Sequence, residues 1–169
     1  MRKILITLLL IVGNLYNSQQ HILIGDSQTF YIKKHTKEVH QKKSLCKVGI
    51  GVTALNKLLQ REKITGNITN VVVSIGVNDY YKTSENALNT LQKLLKRKYP
   101  NARIYVIKGS RGWGNVKNLT ERDVDNYYNW FREHKMYVLK NSIGKGDPHR
   151  DSYNYRKIGK ELDSLIKFK

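Results

Sequence analysis

Short apolar runs alternate with amphipathic segments along this chain, and that alternation restricts the fold more than any other feature. The clearest run is Asn70–Ile75 (NVVVSI), rich in the β-branched residues that favour extended backbone. His21–Ile24, Leu45–Val48, Arg103–Ile107 and Lys135–Leu139 read as further strands. Between them the apolar spacing becomes helical. Leu55, Leu58 and Leu59 share one helical face after Thr53. Ala87, Leu88, Leu91, Leu94 and Leu95 share another after Ser84, and that helix stops before Pro100. Val124, Tyr127, Tyr128 and Phe131 follow Thr120, and Tyr155, Ile158, Leu162, Leu165 and Ile166 form a last face. Thr29–Glu38 is a further helical stretch. Thr53 and Ser84 are suited to cap helices, and Thr120-Glu121-Arg122-Asp123 has the form of a capping box. Strands separated by helices predict βαβ units, hence an α/β fold with a mainly parallel five-stranded sheet between two helical layers.

At 169 residues the chain suits one domain with a substantial core. Arg2 and Lys3 precede an apolar stretch, Ile4–Val12, and polar residues follow at Asn17–Gln20. This pattern predicts a secretory leader over residues 1–18, with 19–169 as the single domain, and hence a secreted or periplasmic location. The other readings of this stretch are an uncleaved anchor and an extra buried strand. No cysteine follows the apolar run, so the pattern is not that of a lipoprotein anchor, and no stable anchor is expected once the leader is removed. The lone Cys46 excludes an intrachain disulfide, and the five histidines lack zinc-ligand spacing. The net charge of +18 favours anionic partners. No nucleic-acid recognition motif accompanies it, so nucleic acid is not an expected partner.

In a parallel sheet the loops after the strands lie along one edge, and open α/β sheets place reactive groups there. Ser27 follows the first strand at the start of a helix. Gly49 and Gly51 follow the second. Gly76-Val77-Asn78-Asp79 follows the third, and Asp147-Pro148-His149 precedes the last helix. A serine hydroxyl needs a base to become a nucleophile, and a histidine base works best with a carboxylate on its other nitrogen. The tetrahedral oxyanion of acyl transfer needs preformed N–H donors. Trp113, between two glycines, suits either a cleft wall or a cap on the core. Asp26 suits a turn-holding role, and Asp79 either supports the Asn78 loop or begins a turn.

Gly25-Asp26-Ser27, Gly51, Gly76-Val77-Asn78-Asp79 and Asp147 with His149 resemble, in order, the sequence blocks of the SGNH (GDSL-type) hydrolases. The resemblance covers essentially all of the chain after the leader. It implies a flavodoxin-like three-layer α/β/α sandwich and hydrolysis of esters or thioesters without a metal or other cofactor. It also implies Ser27 as nucleophile, His149 as base, Asp147 as its carboxylate partner, and an oxyanion hole from the Ser27 N–H, the Gly51 N–H and the Asn78 side chain. Gly51 fits the second block better than Gly49, because Gly51-Val52-Thr53 leads into a helix. One spacing departs from the family: Asp147 lies two residues before His149 rather than three, and the alternative is a Ser-His dyad oriented by a backbone carbonyl. The small chain leaves little room for a lid, which points to a short acyl group. With export and a basic surface, the expected substrate is an O-acetyl group on an anionic polysaccharide or envelope glycan. A lysophospholipid, a thioester, and a non-catalytic glycan- or envelope-binding role are the alternatives.

Overall fold

The computed structural model describes residues 20–36, 43–63, 67–150 and 153–167. The expected leader, 1–18, and the far end of the first expected helix at Glu38 lie outside them.

Strands β1 (Gln20–Gly25), β2 (Lys43–Cys46), β3 (Ile68–Ser74), β4 (Arg103–Arg111) and β5 (Tyr137–Lys145) form one sheet. Its order is β2-β1-β3-β4-β5, and every neighbouring pair is parallel. Helices α1 (Ser27–Lys34), α2 (Val52–Arg61), α3 (Glu85–Lys98), α4 (Glu121–Glu133) and α5 (Tyr153–Lys167) cover both faces. This is the three-layer α/β/α sandwich expected from the alternation.

The pleat explains the layers. Successive side chains of a strand point to opposite faces. Ile22, Ile24, Val71, Val73 and Val106 meet the layer of α2, α3 and α4, where Leu55, Leu59, Leu91, Leu95, Tyr128 and Phe131 are buried. Leu23, Val72, Tyr105 and Ile107 meet the layer of α1 and α5, with Ile32, Tyr155, Ile158 and Leu162. Both faces are dry, so the central strands read as unbroken apolar runs rather than alternating ones. Fully burying one such Leu or Ile contributes about 1.5–3 kcal/mol.

Several boundaries differ from those expected. β2 lies two residues earlier than Leu45–Val48, because pairing with β1 ends at Cys46 and the chain turns at Gly49, where φ is +73°. α2 is capped by Gly51, not Thr53. α1 begins at Ser27 rather than Thr29, because the Asp26 carboxylate accepts the Gln28 N–H at 2.9 Å. β4 and β5 run past Ile107 and Leu139 through polar residues, pairing Lys108 with Ser142, Ser110 with Gly144 and Arg111 with Lys145. The loops after them therefore begin at Gly112 and Gly146. Ser84 and Thr120 cap α3 and α4 as expected, the latter with both bonds of a capping box.

Candidate active site

The site is built where β1, β2 and β3 end. Gly25 has φ +149°, and a Cβ there would stand 1.8 Å from the Ser74 carbonyl oxygen. Glycine is therefore required for β1 to turn so tightly beside β3, and the Asp26 N–H then bonds that carbonyl at 3.1 Å. Asp26 is 1% exposed. Its carboxylate caps α1 and accepts the Asn78 Nδ2 at 3.3 Å. Burial pushes the Asp26 carboxyl up to about 7, opposed by the Gln28 N–H bond and reinforced by the charge of Asp79.

Asp26 thereby fixes Ser27 as the first residue of α1, with its N–H among the unbonded amides of the helix start. Ser27 Oγ lies 3.4 Å from His149 Nε2, and His149 Nδ1 lies 2.9 Å from Asp147 Oδ1. The first distance is longer than a formed hydrogen bond, as is common in a site without ligand. The two-residue spacing of Asp147 and His149 closes a tight turn: Asp147 Oδ1 also accepts the His149 backbone N–H at 2.9 Å. That backbone bond, the imidazole bond and the nearby positive groups hold the Asp147 carboxyl below the usual carboxylate range. The short spacing therefore still brings the carboxylate onto the imidazole.

On the other side of Ser27, the N–H groups of Ser27 and Gly51 have no acceptor among the described residues. Asn78 sits in the single turn Val77–Asp79 after β3. Its Nδ2 donates to the Ile50 carbonyl at 3.0 Å and, at 3.3 Å, to Asp26. Stabilising an oxyanion through Asn78 requires the longer of these bonds to yield. Gly49 is exposed and faces open space, whereas a Cβ on Gly51 would stand 1.8 Å from Asp79 Oδ1.

Asp79 holds the second loop against the third. Its Oδ2 accepts the Val52 N–H at 2.7 Å and the Thr83 hydroxyl at 2.9 Å. It thus caps α2 from a loop 27 residues away, a role its sequence neighbourhood does not disclose. Tyr80 and Tyr81 follow at φ +54° and +55°, a conformation that costs about 1–3 kcal/mol for a residue with a side chain. The Tyr81 hydroxyl donates to the Ser110 carbonyl at 2.6 Å, and the Asn115 amide donates to the exposed Tyr80 hydroxyl at 3.0 Å.

Trp113 takes the core-capping role of its two expected ones. It packs against the core and also presents its ring to His149 at 5.6 Å and 88°. Tyr31 of α1 meets the same imidazole at 5.7 Å and 69°. Sequence reasoning missed Tyr31, Gln28 and Ser110. Their partners lie on other elements, so no local sequence signal marks them. Among the described residues, no group of three or more His, Cys, Asp or Glu side chains is arranged to hold a metal ion.

The described residues form an α/β sandwich whose fold is that of solved lipolytic proteins of the G-D-S-L type. A member of the lipolytic protein G-D-S-L family from Veillonella parvula superposes with a TM-score of 0.63 at 12% identity, covering 89% of this chain and 100% of its own. An acetylxylan esterase from Geobacillus stearothermophilus gives 0.58 at 13% identity, covering 89% and 95%. A family two carbohydrate esterase from Clostridium thermocellum gives 0.54 at 17% identity, covering 88% and 63%. No protein-family model matches the sequence, and comparison with curated proteins gives no match. The likeness is one of fold.

Proposed function

We infer that this chain is a serine esterase that hydrolyses a carboxylic ester through an acyl-enzyme. The observation that carries the reading is the line Ser27 Oγ–His149 Nε2–Asp147 Oδ1, with steps of 3.4 and 2.9 Å through the imidazole. His149 Nε2 takes the Ser27 proton as Oγ attacks the ester carbonyl. The oxyanion forms beside the Ser27 and Gly51 N–H groups and the Asn78 amide. His149 then gives the proton to the departing alcohol, which breaks the C–O bond and leaves the acyl group on Ser27. A water, deprotonated by His149, attacks the acyl carbonyl; the Oγ–acyl bond breaks, His149 returns the proton to Ser27 Oγ, and the acid is released. Asp147 holds the Nδ1–H tautomer and stabilises the imidazolium in both halves.

The substrate class is an O-acetyl group on an anionic glycan, met outside the cytoplasm. The net charge of +18 and the half-exposed site support it. So do the names of two proteins of like fold, the acetylxylan esterase and the carbohydrate esterase. A second reading has its own observation. Phe30 lies one helical turn from Ser27, and Val48 and Tyr80 stand in the adjoining loops, all exposed, an apolar rim suited to a lysophospholipid or acyl thioester.

The deciding experiment is labelling by a fluorophosphonate probe with Ser27→Ala as control. Ser27-dependent labelling is expected, whereas labelling equal in the two proteins would favour a non-catalytic glycan-binding role. Turnover of p-nitrophenyl esters of rising chain length separates the substrate readings: preference for acetate is expected, and preference for long chains would favour the lipid substrate.

A further inference from the structure

The base of the proposed reaction has weak local support. The side chains of His149 and Asp147 are 40% and 38% exposed, so water competes for their hydrogen bond. Asp147 Oδ1 is also shared between the imidazole and the His149 backbone. The carboxylate holds the ring at one atom only, Nδ1.

A second support comes from inside the fold. Trp113 packs T-shaped against the imidazole, which Tyr31 of α1 also meets. The indole is itself tied down: Trp113 Nε1 donates to Ser110 Oγ at 2.7 Å. Ser110 is fully buried near the end of β4, its backbone carbonyl held by the Tyr81 hydroxyl. Its Oγ also accepts Gln28 Nε2 at 2.9 Å. Gln28 is 1% exposed and directly follows Ser27. The path from nucleophile to base thus closes through the protein interior, from Ser27 through Gln28, Ser110 and Trp113 to His149.

We propose that Gln28, Ser110 and Trp113 are positioning residues that fix the His149 imidazole relative to Ser27. The inference rests on the reading of His149 as base. The device depends on a side-chain amide beside the nucleophile. The G-D-S-L name of the V. parvula protein's family has Leu where this chain has Gln28, and a leucine could not hold Ser110 Oγ. Proline or glycine constraints in the backbone would fix a loop, but only contacts on the ring itself restrain its rotation. A base displaced by a fraction of an ångström loses rate without losing substrate affinity, because the misalignment acts on the transition state.

The test combines kinetics and spectroscopy on the full chain. Trp113→Phe keeps an aromatic edge but removes the Nε1–H, and Gln28→Leu removes the amide. With p-nitrophenyl acetate each is expected to lower kcat by about 10–10²-fold with KM within about twofold of wild type. Both losses should vanish in a His149→Ala background, as a double-mutant cycle requires when the effect passes through that residue. Equal losses in that background, or a raised KM with unchanged kcat, would show a cleft wall or a general structural role and overturn the proposal. Three-bond couplings of the His149 ring, assigned by comparison with His149→Ala, give an independent readout. A single side-chain rotamer is expected in wild type and averaging in both variants; unchanged couplings would overturn the relay. Trp113 is half-buried, so Trp113→Phe decides the matter should Gln28→Leu fail to fold. If Ser27→Ala leaves turnover unchanged, the esterase reading fails while the couplings still decide whether the relay fixes the ring.

Discussion

The two sides of the candidate site are held by different means. On the nucleophile side, Ser27 is placed by contacts onto the backbone at the strand ends: Gly25 lies against the Ser74 carbonyl, the Asp26 carboxylate caps α1, and the Asp79 carboxylate ties the α2 start to the loop after β3. On the base side, His149 stands in a half-exposed loop and is held by its neighbour Asp147 and by two aromatic rings. A nucleophile set by the sheet cannot move without disturbing the fold. A base set by side chains can move with little cost to stability. Substitutions on the two sides should therefore separate rate from stability.

The largest effect is expected at Asp147. Asp147→Ala should lower kcat for p-nitrophenyl acetate by about 10³–10⁴-fold, the cost of losing the tautomer-fixing carboxylate. Thermal unfolding should change little, because the side chain is half-exposed. An unchanged rate would leave a serine–histidine dyad. Asn78→Ala comes next, with a loss of about 10²–10³-fold in kcat as one oxyanion donor disappears. Unlike Asp147→Ala, it should also lower the unfolding temperature, since its amide bonds Ile50 and Asp26 within the fold. Equal thermal behaviour of the two variants would break the contrast.

Asp79→Ala should act mainly on stability. It removes the carboxylate that caps α2, a loss of about 1–2 kcal/mol measurable by urea unfolding. A rate loss should accompany it, because the Gly51 N–H is then held less firmly. A further effect concerns pH. The Asp26 carboxyl is raised from 3.8 to about 7 by burial, so the folded chain binds that proton more tightly than the unfolded chain. The stability from this group is complete below about 4 and is lost as pH rises through about 7. Asp26→Asn should therefore gain stability relative to wild type between pH 4 and pH 8, measured as urea midpoints of the two proteins. A constant difference across that range would show that Asp26 is not raised.

Much of the fold was legible because its signals are local. The apolar run at β3, the caps at Ser84 and Thr120 and the helical apolar faces each depend on residues a few positions apart. The candidate residues Ser27, Gly51, Asn78, Asp147 and His149 stood out for the same reason: each stands after an apolar run or before a helix. The far ends of β4 and β5 were not, because Lys108, Ser110, Ser142 and Gly144 pair through backbone and show no apolar pattern. The capping of α2 by Asp79 and the role of Gln28 were not legible, because their partners lie 27 and 82 residues away.

By itself, the order of residues determined an alternating α/β chain, an amino-terminal Gly-Asp-Ser turn and a short Asp-x-His segment near the other end. Those properties follow from backbone propensity, side-chain period and capping, which act over a turn or two. Only the tertiary structure decided that the turn and the segment meet, that a two-residue spacing still places Asp147 on the imidazole, and that a buried glutamine beside the serine reaches the tryptophan beside the histidine. Those contacts depend on strand order and on packing between elements distant in sequence. Hydrogen bonds of about 3 Å form there because the sheet brings the ends of β1, β3, β4 and β5 to one edge.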